Sequence, residues 1–111
     1  MIRLVTRGRF TRDYASRLVA APEDREPAVR KLIEGAGGKL LNFYFTTGDS
    51  DFLAIAEAND AESVIGSLLA AAAAGMISDV TTVRAWTGGE FKAVAEKASK
   101  VASLYRPPGK G

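Results

Sequence analysis

Two runs of strand-forming residues joined by a short polar turn constrain this chain more than any other feature. The stretch from Lys39 to Asp60 reads KLLNFYFTTGDSDFLAIAEAND. Leu40 to Thr46 is rich in aromatic and branched residues, as strands tend to be. Strict alternation places Leu41, Phe43 and Phe45 on one face and Leu40, Asn42, Tyr44 and Thr46 on the other. Phe52 to Ala58 is a second run, with Phe52, Ala54, Ala56 and Ala58 opposite Leu53, Ile55 and Glu57. Between the runs, Gly48 can take a positive φ, and the side chains of Asp49, Ser50 and Asp51 can bond nearby backbone amides. The pattern predicts an antiparallel hairpin.

The flanking segments supply the rest of a domain. Ile2 to about Arg9 alternates Ile2, Leu4 and Thr6 with Arg3, Val5, Arg7 and Arg9, a first strand with one wetter face. Thr11 can cap a helix carrying Tyr14, Leu18 and Val19, which Pro22 interrupts. Pro27 suits the first turn of a second helical piece with Val29, Leu32, Ile33 and Ala36, ended by Gly35, Gly37 and Gly38. After the hairpin, Asn59 or Asp60 caps a helix whose expected buried stripe is Val64, Ile65, Leu68, Leu69 and Ala72. The alanines from Ala70 to Ala74 favour helix and permit close approach to a sheet. Val80 to Thr87 reads as a fourth strand. Thr87 and Glu90 then have capping-box spacing ahead of a terminal helix carrying Phe91, Val94, Ala98, Val101 and Tyr105.

The order β-α-β-β-α-β plus a terminal helix predicts an α+β, ferredoxin-like fold. One domain is expected over residues 1–105, with residues 106–111 a flexible tail. Such a sheet carries helices on one face only. Both faces of the hairpin bear large apolar groups, Phe43 and Phe45 on one side and Leu40 and Tyr44 on the other. A lone chain would leave one of these patches wet, so the expectation is a homodimer, sheet against sheet, forming a dimeric α/β barrel.

Two absences narrow the chemistry. The 111 residues contain no Cys, hence no disulfide, thiolate nucleophile or cysteine zinc site. They contain no His, hence no imidazole base or histidine metal or haem ligand. No loop has the acidic spacing of a calcium site, so neither metal nor cofactor is expected. The absence of cysteine suits a cytoplasmic protein, and MIRLVTRGRF lacks the apolar core of a signal segment. The longest apolar run, LLAAAAAGMI, is too short to span a membrane. A net charge of +2 does not argue for nucleic acid; the arginines at 3, 7, 9, 12 and 17 read most simply as a solvated face.

The residues from Gly37 through Asp60 resemble the small bacterial GYD-domain proteins, named for a Gly-x-Tyr-Asp turn between the middle strands. The resemblance extends upstream through Phe10, Thr11 and Pro22 to Arg25, and downstream to Thr82, Arg84 and Ala85. Gly48, Asp51, Glu57 and Asp60 match the pattern, whereas Ser50 stands where the family has Tyr. Met76, Ile77, Ser78 and Asp79 replace a shorter glycine-led turn. The resemblance implies a fold like that of dimeric α/β-barrel proteins and brings no established activity.

Tyr44, Asp51, Glu57, Arg84 and Trp86 are the candidate ligand-binding residues. In regular strands Asp51 and Glu57 share a face that Tyr44 and Arg84 can also occupy, with Trp86 beyond. Such a group could hold a small polar aromatic compound or carry out acid–base work. The plainer alternative has Asp51 binding turn amides and Glu57 paired across strands with Arg84. Three functions follow: a dimeric binding or structural module, a cofactor-free oxygenase or isomerase acting on a small apolar or aromatic substrate, and, least favoured, phosphate or nucleic-acid binding by the arginine-rich strand face.

Overall fold

A computed structural model describes residues 1–109. The expected tail, residues 106–111, thus lies partly outside the described residues. The hairpin is present as β2, Lys39–Phe45, and β3, Phe52–Ala58. β1, Ile2–Phe10, lies beside β3, and β4, Ile77–Ala85, lies beside β1. All pairings are antiparallel and the order is β2-β3-β1-β4, an open four-stranded sheet. Helices α1, Arg12–Ala20, α2, Glu26–Gly35, and α3, Ala61–Ala73, lie between strands, and α4, Gly88–Val101, follows β4 with a 3-10 turn at Ala102–Leu104.

The helix boundaries follow from local chemistry. The Thr11 side chain accepts from the Tyr14 N–H at 3.2 Å, starting α1. Pro27 sits in the first turn of α2, where a missing N–H costs nothing. Asp60, not Asn59, caps α3: its carboxylate accepts from the Ser63 N–H at 2.8 Å and the Ser63 hydroxyl at 2.9 Å. Both donors hold the Asp60 pKa below its ordinary value, the backbone N–H most. The capping box at Thr87 and Glu90 is formed in both directions, starting α4.

The sheet's helix-bearing face carries Leu4, Thr6, Gly8, Phe52, Ala54, Ala56 and Ala58, all buried. Alternation along β3 therefore runs as read from the sequence. Along β2 it does not. Leu40 pairs with Ala56 but Asn42 pairs with Ile55, so one residue is extra at Leu41. This bulge lets Leu40 and Phe43, three apart, point to the same core. Arg30 of α2 donates to the Leu40 carbonyl at 3.0 Å beside the irregularity. A second irregularity lies between β1 and β4, where Arg9 pairs with Ser78 and Arg7 with Thr81. Asp79 there takes a φ of 51°, a left-handed conformation that Asp tolerates better than most. The segment expected as a loop, Ile77 to Asp79, is thus a bulged extension of the strand.

The face of α3 also differs from expectation. Val64 and Ser67 are buried and Leu68 is half-buried, while Ile65 and Leu69 point outward. Gly8 shows how tightly the middle of the sheet is covered: a Cβ built on it would lie 2.7 Å from the Phe52 ring.

Candidate functional site: an apolar hollow beneath the helices

The alanines that face each other across the domain do not meet. Ala54 and Ala56 on β3 look toward Ala70, Ala71 and Ala74 of and after α3. Side chains of one carbon on both sides leave the space between sheet and helix unfilled. The result is a hollow of about 320 Å³. Phe10, Phe43, Phe52 and Tyr14 wall it at the hairpin end, and Ile33, Val64 and Leu68 wall it elsewhere. Exposed Ala28, Leu32 and Ala70 also line it, so it reaches the surface between α2 and α3.

The aromatic wall is ordered by mutual contact. Phe10 stacks on Tyr14 with centroids 4.5 Å apart and planes 8° apart. Phe45 meets both Phe10 and Phe43 edge-on, at 5.3 and 5.1 Å. Arg25 lies over the Tyr14 ring, 5.7 Å from its centroid, and pairs with Glu23 at 2.9 Å. Polar groups inside are few. Thr6 shares a hydrogen bond with Thr82 at 3.0 Å, and the Ser67 hydroxyl donates to the Ser63 carbonyl at 3.1 Å. Each hydroxyl oxygen keeps acceptor capacity for a guest. Arg25 is the one charged residue on the lining, which includes no carboxylate.

The five residues expected to form a site are not gathered together, and none lines this hollow. Tyr44 and Glu57 share the helix-free face, but Tyr44 pairs with Leu53, four residues along β3 from Glu57. That separation is about 13 Å along a strand. Arg84 pairs with Leu4 in the register and so lies on the opposite face. Its guanidinium sits 4.9 Å from the Trp86 ring centroid, and Trp86 meets Phe91 edge-on at 5.8 Å. The partner of Glu57 is Arg3, at 3.3 Å, rather than Arg84. Arg3 also donates to Glu90 at 2.9 Å, binding the root of α4 to the sheet. The Thr87 N–H foremost, and then Arg3, hold the Glu90 pKa below its ordinary value. Among the described residues no group of three His, Cys, Asp or Glu side chains gathers at metal-binding distance.

The turn between β2 and β3 has a clear structural logic. Gly48 has a φ of 91°, which favours glycine. Asp51 ties three strands: its N–H donates to the Gly8 carbonyl at 2.8 Å, its carboxylate accepts from the Phe10 N–H at 3.0 Å, and its carbonyl accepts from the Thr46 N–H at 2.8 Å. The Thr46 hydroxyl donates to the Ser50 carbonyl at 2.7 Å. Asp51 therefore fixes where β1 finishes and Phe10 begins to wall the hollow. Among known families, the model of the GYD domain matches residues 4–95 of the chain.

The chain belongs to the GYD domain family.

The family match ends within α4, so the distal part of that helix lies beyond it. No curated protein matches the chain. The carrying residues of this GYD domain's hollow were hidden in plain composition. The available signal was the coincidence of small residues at Ala54, Ala56, Ala70, Ala71 and Ala74, which together cannot fill a space between layers. Among the described residues no helix is long and apolar enough to cross a membrane.

Proposed function

We propose that this GYD-domain protein is a dimeric binding module that shelters one small, flat, apolar molecule per chain between its helices and its sheet. The hollow of about 320 Å³ is the observation that supports this reading. It falls at the small end of ligand pockets and is about twice the roughly 150 Å³ apolar cavity that takes up benzene in an engineered protein core. A two-ring aromatic compound suits it in size, and the stacked Phe10 and Tyr14 suit it in chemistry. Thr6 and Ser67 can orient a polar substituent, and Arg25 at the Tyr14 side favours an anionic one.

A lining without carboxylate supports binding rather than acid–base work. The alternative, a cofactor-free oxygenase or isomerase, would need a substrate that supplies its own reactive group. Pairing of two chains is supported by the helix-free face. There Tyr44 and Val83 are exposed, and Val5, Leu53 and Ile55 form an apolar centre between them.

Calorimetric titration with naphthalene, 2-naphthol and 2-naphthoate tests the binding reading. One site per chain and a raised melting temperature are expected, with 2-naphthoate favoured through Arg25. No heat and no melting shift with any of the three would overturn it.

A further inference from the structure

Beyond its root, helix α4 stands clear of the described remainder of its own chain. Among the described residues it contributes no buried side chain, and Phe91, Val94 and Val101 stand 49, 37 and 55% exposed. Yet it is clearly two-sided. At 100° per residue, Phe91, Val94, Ala95, Ala98, Val101 and Ala102 fall within an arc of about 120°, the width of a stripe that normally meets a core. Lys92, Glu96, Ser99 and Lys100 occupy the other side. The root of the helix is fixed by the capping box, the edge contact of Trp86 with Phe91, and the bond from Arg3 to Glu90. A helix of 14 residues standing alone in water is marginal. The projection shows in the dimensions: the longest extent is 64 Å and the radius of gyration 18.3 Å, against about 13 Å for a compact chain of this length.

We infer that α4 is an arm that embraces a second copy of this chain seated on the helix-free face of the sheet. This rests on the pairing proposed above and goes beyond it by naming the element that holds the pair. Area supports the choice of occupant. Four strands of about seven residues present roughly 19 × 23 Å, or about 440 Å², which is near half of the ~800 Å² that each partner buries in a standard interface. The apolar side of α4, about 21 Å long and 10 Å wide, adds about 210 Å² in projection, for about 650 Å² in all, within the roughly 600–1,000 Å² that each partner buries in standard interfaces. Continuity supports it too. Arg3 lies on the helix-free face and holds Glu90, which fixes the root of α4 beside that face. The arm's distal part lies beyond the family match.

The test is sedimentation equilibrium of the full chain and of the double variant Val94→Glu, Val101→Glu, with far-ultraviolet circular dichroism on both. Because α4 buries nothing at home, the variant domain still folds, which cooperative melting verifies. The expected results are a wild-type dimer, dissociation at least about a hundredfold easier in the variant, and loss of helix signal equivalent to α4 when its partner is gone. A wild-type dimer with an equally tight variant dimer would overturn the arm and leave pairing through the sheet standing. A wild-type chain that stays monomeric at all concentrations would overturn both.

Discussion

Filling the hollow with two carbon atoms separates it from an ordinary packed core. Ala54 lines the hollow, whereas Ala58, on the same face of the same strand, is fully buried in the core cluster and does not line it. Valine at either site gains the same strand preference, so propensity cancels in the comparison. At position 54 the two added carbons enter empty apolar space, each contributing about 0.8 kcal/mol, for a gain of about 1.6 kcal/mol. For a chain of this size that corresponds to a rise of about 6 °C in melting temperature. At position 58 the same atoms must displace packed neighbours, at a cost of about 1–3 kcal/mol and a fall of about 4–12 °C. Both variants and the wild type are to be melted by scanning calorimetry at one protein concentration, because association shifts the midpoint. The Ala54→Val protein should also take up 2-naphthol more weakly, since the guest and the new methyl groups compete for one space. Two variants that shift in the same direction by similar amounts would refute the reasoning, because the space above Ala54 would then be no emptier than that above Ala58.

Other perturbations probe the frame of the hollow. Asp51→Ala leaves the Phe10 N–H without its acceptor and should cost about 1–3 kcal/mol, read as a lower denaturant midpoint; Asp51→Asn, which keeps an acceptor oxygen, should lose clearly less. Gly8→Ala drives a Cβ into the buried Phe52 ring and should destabilise by about 1–3 kcal/mol while weakening guest binding, because Phe52 walls the hollow. Acid should loosen α3 and α4 at their first turns. The pKa values of Asp60 and Glu90 are lowered by folding, so their contribution is complete above the ordinary values of 3.8 and 4.5 and disappears as pH falls through the lower folded values. Protection of the amides in those first turns, taken relative to their intrinsic exchange rates and followed downward from pH 5, should fall further than in α1, whose cap Thr11 does not titrate.

Element order and type were legible because each signal was local: alternation in β3, the Thr11 and Thr87 caps, and Gly48 in its turn all depend on neighbours within a few residues. The face of β2 was not, because the extra residue at Leu41 reverses parity midway, and no side chain in KLLNF distinguishes a bulge from a regular strand. That one shift moves Leu40 across the sheet. The strand face of Arg84 is set by its pairing with Leu4, more than seventy positions away, which no spacing within β4 reveals. Glu57 found Arg3 for the same reason: both cations were visible, but only the strand order brings β1 rather than β4 beside β3. The hollow was illegible as a site because it is made of what is missing. The alanines from Ala70 to Ala74 read as permission for close approach to the sheet, yet Phe10, Phe43 and Phe52 occupy the hairpin end of the space between the layers and the small residues do not fill the rest.

The most direct measurement is diffraction from crystals of the full chain soaked in bromobenzene, with the bromine located by its anomalous signal. A guest lodged between Ala54, Val64 and Ala71 is the expected outcome, with the Phe10 and Tyr14 rings bordering the same space. Bromine only on the helix-free face, or a space above Ala54 already filled by side chains, would contradict the account.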